Sequence, residues 1–132
     1  MSNYGFDIHV DGGFDDVVER VTEALKAEGF GVLSDIDVKA TLKKRLDIDR
    51  RPYRILGACN PPLAHQALEA EPDIGLLLPC NVVVREDDDG RVVVAFMDPQ
   101  AVLGIVQREE LAQLGAEVKT RLQKVRDALL EG

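Results

Sequence analysis

The sequence has 132 residues, 45% of them hydrophobic and 30% charged, and 24 acidic against 16 basic residues give a formal net charge of −8. This length predicts a single domain over residues 1–132 with an ordinary hydrophobic core. The acidic balance argues against a nucleic-acid partner, because it repels phosphate backbones. No apolar run reaches the roughly 18 residues of a membrane span, and no signal-peptide pattern begins the chain, so we expect a cytoplasmic protein without membrane contact.

Predicted strands and helices alternate in the first third of the sequence. Apolar and polar residues alternate over residues 4–10, as in a half-buried strand, and apolar residues recur at helical spacing from Asp15. Gly29 is typical of the residue that ends such a helix. Residues 30–33 predict a second strand. Ser34, with an acid three residues later, resembles a capping box and predicts the start of a second helix.

The first cysteine lies where a third strand meets a third helix. Tyr53–Cys59 forms an apolar run that predicts a strand. Asn60 followed by Pro61 is the pattern of a helix N-cap and first helical residue, because proline lacks the amide hydrogen that this position leaves unbonded. The helix should run to about Ala70. Three of its residues are predicted to face inward: Leu63, Ala67 and Leu68.

A hairpin and two helices complete the chain. Residues 87–90, Asp-Asp-Asp-Gly, stand between two valine triplets and predict a β-hairpin turn. Asp98 and Pro99 repeat the capping pattern before a short helix over residues 101–106. Six residues of the final helix form one apolar stripe: Leu111, Leu114, Val118, Leu122, Val125 and Leu129. The predicted order is β-α-β-α-β-α-β-β-α-α, an α+β fold with helices packed on a mostly antiparallel sheet.

Both cysteines of the sequence are followed by asparagine, in Cys59-Asn60 and Cys80-Asn81, and both pairs adjoin proline at a predicted strand end. If the two strands are neighbours, these four residues converge on one pocket. Free cysteine is also among the most buried residue types, so both thiols are equally consistent with core packing. The asparagines have structural explanations too, as an N-cap and a turn residue.

Thiol chemistry would assign distinct roles to three residues. Cys59 precedes a helix N-terminus, where the dipole and free amides favour the thiolate, the nucleophilic form. Cys80 would then be the resolving thiol, and His65, five residues beyond the predicted cap, a general base. These three residues also offer soft ligands for zinc or copper. Their spacing matches no compact metal signature, so we predict no metal site and no cofactor.

Residues 53–61 and 75–84, which contain the two Cys-Asn pairs, resemble the domain-of-unknown-function 302 family, and residues 29–33 with Asp98-Pro99 fit as well. The resemblance extends over nearly the whole chain. It implies a compact α+β domain with helices on an antiparallel sheet, and homodimers. The family carries no settled activity, so the resemblance implies no catalytic residue.

We therefore expect a domain that binds a small molecule or a partner as a homodimer. The expected ligand-binding residues are Cys59, Asn60, Cys80 and Asn81, with Leu78 and Pro79 in the pocket wall. One alternative is a thiol-based redox or nucleophilic enzyme that uses Cys59 with Cys80. Another is a structural interaction module in which both thiols are buried and inert.

Overall fold

The computed structural model describes residues 3–131. Its strands are β1 (Gly5–Val10), β2 (Gly31–Asp37), β3 (Tyr53–Cys59), β4 (Cys80–Glu86) and β5 (Val92–Met97). Its helices are α1 (Phe14–Ala27), α2 (Val38–Leu46), α3 (Pro61–Ala70), α4 (Pro99–Leu103) and α5 (Glu109–Glu131). Short 3₁₀ helices span Pro72–Leu77 and Gly104–Val106. The order of strands and α-helices confirms the predicted α+β fold.

The strands form one five-stranded sheet in the order β1-β5-β4-β3-β2, with every neighbouring pair antiparallel. The predicted hairpin joins β4 to β5. Gly90 adopts a φ of 81°, and the Asp87 carboxylate accepts hydrogen bonds from the Asp89 and Arg91 amides. This Asp-Gly turn therefore sets the register of the β4–β5 pair.

One face of the sheet is buried under helices. The buried side chains on this face lie at alternate strand positions and are Phe6, Val10, Leu56, Ala58, Cys80, Val82, Val84, Val92, Val94 and Phe96. The predicted stripe of α5 is buried along its whole length, which confirms it. Burial of one such side chain stabilises the fold by roughly 1.5–3 kcal/mol, so the stripe accounts for the docking of α5.

The other face of the sheet is much more accessible. In register across the central strands it carries Ile55, Val83 and Ala95, which are half-buried, and Asp7, which is exposed. Val93 is the exception on this face, because only 3% of it is exposed. Alternation along each strand thus divides the molecule into a dry helix-covered side and an open side.

The predicted start of the second helix was wrong. Ser34 does not cap α2 but lies within β2, which continues to Asp37. Asp37 is the N-cap instead, and its carboxylate accepts a hydrogen bond from the Ala40 amide at 2.9 Å. Both residues offer a capping oxygen, and pairing of Asp37 with Arg54 on β3 extends the strand past Ser34. None of the helices in residues 3–131 has both the length and the apolar character needed to cross a membrane.

Candidate functional site

The junction between β3 and α3 is built as the sequence predicts. Cys59 is the last residue of β3, and Asn60 caps α3 with its Oδ1 3.4 Å from the Leu63 amide. Pro61 and Pro62 then occupy the first helical positions, where no amide donor is required. Asn60 is buried, with 7% of its surface exposed. Its burial is tolerated because the cap bond satisfies its carbonyl oxygen.

The second cysteine begins β4 and is buried. Cys80 pairs with Ala58, so it lies one register position away from Cys59 rather than directly opposite it. Burial raises the pKa of the Cys80 thiol to about 11, and the nearby Cys59 adds to the increase. Cys80 is therefore neutral at physiological pH. Cys59 is half-buried, and neither cysteine is in a disulfide.

A cavity of about 410 Å³ lies at this end of the sheet, between the ends of β3 and β4 and helices α3 and α5. We call it the apolar cavity. Cys59, Asn60 and Cys80 all line it, together with Leu78 and Pro79. The remaining lining residues are Phe30, Leu33, Ser34, Ala58, Leu63, Ala64, Ala67, Leu68, Gly75, Leu103, Leu114 and Val118.

The wall of the apolar cavity contains no Asp, Glu, Lys, Arg or His among the residues that the structure describes. Its polar side chains are Ser34 and Asn60, with the two thiols. A charged ligand group placed inside would lose hydration without gaining an opposite charge, which is costly. The cavity is therefore suited to neutral, mainly apolar molecules.

Ser34 is a wall residue that the sequence interpretation missed. It pairs with Gly57 on the adjacent strand, and a β-carbon at Gly57 would collide with the Ser34 Oγ and lie 2.9 Å from Pro79 Cγ. A glycine inside a strand often marks such a close approach, and Gly57 was the available signal. The missing side chain lets Ser34 and Pro79 converge at the cavity wall.

Exposed leucines border the apolar cavity. Leu33 and Leu68 line it and are nevertheless 73% and 45% exposed. The prediction that Leu68 faces inward was wrong, because α3 packs through Leu63 and Ala67 and turns Leu68 toward the cavity opening and solvent. Apolar side chains at an opening favour the approach of an apolar molecule or surface.

Asn81 and His65 lie away from this cavity. Asn81 follows Cys80 on β4, so alternation directs its side chain to the open face, where it is exposed and lines a second cavity. The His65 side chain is 74% exposed, with Nε2 3.9 Å from the Glu69 carboxylate. It lines neither cavity. The structure thus brings together three of the four residues of the Cys-Asn pairs and leaves His65 apart from both thiols.

No group of three or more His, Cys, Asp or Glu side chains in the described part of the chain is arranged to hold a metal ion. Cys59 and Cys80 are the two soft ligands at the apolar cavity, and the nearest additional polar wall group there is an amide or a hydroxyl. The donor set at the cavity is thus short of the three or four ligands of a zinc site.

The family comparison covers nearly the whole chain. The model of the family described as "Domain of unknown function DUF302" matches residues 6–129. The chain belongs to the DUF302 family. No curated protein matches it. The crystal structure of an uncharacterized conserved DUF302 protein from Bacillus stearothermophilus superimposes with a TM-score of 0.89 at 29% sequence identity, over 97% of this chain and 99% of that one. Membership in DUF302 supports the fold and brings no activity with it.

Proposed function

We propose that this DUF302 domain binds a small, neutral, mainly apolar molecule in the apolar cavity. The observation that carries the proposal is a cavity of about 410 Å³ with an uncharged wall. This volume lies within the range of about 300–1,000 Å³ that is usual for small-molecule sites. A wall that consists mainly of Leu, Ala and Pro side chains gains free energy by contact with an apolar ligand instead of water.

Few polar contacts are available to orient such a ligand. The Ser34 hydroxyl and the Cys59 thiol are the wall groups most accessible to it, because Asn60 and Cys80 are buried. A single neutral oxygen or nitrogen on the ligand is enough to use these groups. A carboxylate or an ammonium group is excluded from the interior by its desolvation cost.

We further propose that the domain works as a homodimer. The support is the edge strand β2, whose outer backbone groups are open and which exposes Leu33 and Ile36, 73% and 50% accessible. An exposed edge with apolar side chains invites pairing with another strand. Sedimentation equilibrium of the wild type and of Leu33→Asp tests this: the wild type should be a dimer that the aspartate dissociates. A monomeric wild type at micromolar concentration would contradict it.

Binding in the apolar cavity is tested with N-phenyl-1-naphthylamine, a neutral fluorescent probe. Ala64→Leu fills the cavity from α3, whereas Ala112→Leu adds the same atoms to another half-buried helical alanine outside it. The probe should bind the wild type and Ala112→Leu alike and bind Ala64→Leu about tenfold more weakly, once circular dichroism has shown all three folded. Equal binding to the two variants would rule out the apolar cavity as the site.

Thiol chemistry is the second candidate, and the observation in its favour is that half-buried Cys59 lines a cavity able to hold a substrate. Cys80 weighs against a redox cycle, because a thiol with a pKa of about 11 is rarely ionised at neutral pH. Exposed His65 is not placed to act as a base. Reaction at Cys59 alone, without Cys80 or His65, is the form of this candidate that the geometry supports.

A further inference from the structure

A second cavity, of about 400 Å³, lies on the open face of the sheet and is independent of the apolar cavity. Val83 and Ala95 form part of its floor, and Tyr4 and Tyr53 stand at its sides. Arg85 and Asn81 are its most polar lining residues. This arrangement differs from the apolar cavity in having a permanent positive charge.

Arg85 differs from the other half-buried arginines of residues 3–131. Within residues 3–131 the structure gives its guanidinium neither a hydrogen bond nor an ion pair, although the side chain is half-buried. The other half-buried arginines all donate to a carboxylate or a backbone carbonyl, and they are Arg20, Arg54, Arg121 and Arg126. A partly desolvated guanidinium normally finds such an acceptor. In a chain with a net charge of −8, the lack of one at Arg85 is the observation that requires an explanation.

Neighbouring charges leave the positive potential at Arg85 intact. Arg50 lies over the Tyr53 ring, 5.0 Å from its centroid, and makes no ion pair in the described chain. His9 and Arg85 both pair with Val93, from opposite sides, and His9 Nε2 lies 3.3 Å from Asp87 Oδ2. Glu86 points to the other face and is bonded to Arg51. Asp87 and Glu86 are therefore already used by other partners, and exposed Asp7, which pairs with Ala95 on the same face, does not line the cavity.

The two polar ends of the cavity are separated by an apolar floor. Arg85 and Asn81 lie four residues apart on the same face of β4, which places their Cα atoms about 13 Å apart. Val83 lies between them, and Ala95 pairs with it on β5. A matching ligand has an anionic group at one end, a flat apolar body and a hydrogen-bonding group at the other end.

We propose that this cavity binds a planar aromatic monocarboxylate, with the carboxylate on Arg85. A guanidinium presents paired N–H donors whose geometry matches the two carboxylate oxygens. Tyr4 and Tyr53 offer ring surfaces to a flat body, and the Asn81 amide reaches a polar substituent at the far end. A phosphate monoester fits less well, because Arg85 alone lines the cavity with a positive charge and would leave a dianion half-compensated.

The test compares 4-hydroxybenzoate with its neutral amide, 4-hydroxybenzamide, by two-dimensional ¹H–¹⁵N NMR titration of the full chain. We expect 4-hydroxybenzoate to bind with saturable chemical-shift changes that include the side-chain amide of Asn81. The neutral 4-hydroxybenzamide should bind at least about tenfold more weakly. Arg85→Gln should weaken carboxylate binding by about tenfold. Arg91→Gln removes the same charge from an exposed hairpin arginine whose guanidinium makes no ion pair within residues 3–131, and it should leave carboxylate binding within about twofold of the wild type.

Three results would overturn the proposal. Equal affinity for the acid and the amide would remove the role of charge, and unchanged binding by Arg85→Gln would place the ligand elsewhere. Tighter binding of phenyl phosphate than of benzoate would replace the carboxylate by a phosphate. The titration of N-phenyl-1-naphthylamine should be unaffected by Arg85→Gln, so failure of this proposal is distinguishable from failure of the function assigned to the apolar cavity.

Discussion

Lys119 Nζ lies 2.9 Å from the Asp98 carboxylate and so joins the middle of α5 to the start of α4. The same carboxylate caps α4 by accepting hydrogen bonds from the Gln100 and Ala101 amides. Burial raises the pKa of Asp98, but Lys119 and the two amides outweigh it and hold that pKa below the ordinary 3.8. One side chain therefore contributes both a cap and an ion pair to the contact between these helices.

Loss of Asp98 should destabilise the fold in a pH-dependent way. Asp98→Ala should lower the free energy of unfolding by about 1 kcal/mol at pH 7, and Asp98→Asn, which keeps a capping oxygen, by less. Because the folded pKa is depressed, the charge contributes fully above the unfolded value of about 3.9 and is lost as pH falls through the folded pKa. Urea unfolding at pH 7 and pH 2.5 measures this, and a wild-type advantage over Asp98→Asn that is as large at pH 2.5 as at pH 7 would contradict it.

Gly57→Ala should destabilise the domain by about 1–3 kcal/mol, because the new methyl group collides with Ser34 and approaches Pro79 Cγ to 2.9 Å. Ser34→Ala alone should have a small effect. Combined with Gly57→Ala it should restore part of the loss, since the colliding oxygen is gone. Thermal unfolding of the four proteins gives this coupling as a double-mutant cycle, and strictly additive effects would show that the two residues do not interact.

The two cysteines should differ strongly in reactivity. With a pKa of about 11 for Cys80, roughly one such thiol in a thousand is ionised at pH 8. Iodoacetamide at pH 8 should therefore modify half-buried Cys59 roughly tenfold or more faster than Cys80, as measured by peptide mass spectrometry. In urea the two rates should converge. Comparable rates in the native protein would restore Cys80 as a resolving thiol and favour the redox alternative.

The two asparagines of the Cys-Asn pairs should contribute unequally to stability. Asn60→Leu removes the acceptor of the Leu63 amide at a buried helix start and should cost about 1–2 kcal/mol. Asn81→Leu changes an exposed residue of the open face and should stay within about 0.5 kcal/mol. Chemical denaturation of both variants measures the difference. Equal losses would mean that the cap contributes nothing beyond its surroundings.

Local signals predicted most of the fold. The Asn60-Pro61 cap, the Asp-Gly turn and the apolar stripe of α5 were read correctly because each depends on residues within one or two turns of the chain. Ser34 was misassigned because its capping pattern competed with strand pairing to Gly57, and that pairing partner lies 23 positions away in the sequence. A local sequence pattern does not indicate strand pairing between residues so far apart in the chain.

The candidate site was predicted in part for a similar reason. Position at strand ends brought Cys59, Asn60 and Cys80 to one cavity, as expected for neighbouring antiparallel strands. The expected convergence of Asn81 ignored the alternation of β4, which sends consecutive residues to opposite faces. Arg85 carried no sequence signal at all, because one arginine in a strand reveals its lack of a partner only when every neighbouring strand is in place.

Because of that alternation, consecutive residues of β4 line different cavities on opposite faces of the sheet. Cys80 lines the apolar cavity, and Asn81 lines the cavity on the open face. A deletion of one residue at the start of β4 would exchange the two sides, moving an amide into the apolar cavity and valines out of the core. A one-residue insertion or deletion in β4 therefore cannot alter one of the two cavities without disrupting the other. A side-chain replacement in β4, by contrast, alters only the cavity that its position faces, so the two cavities can diverge one position at a time.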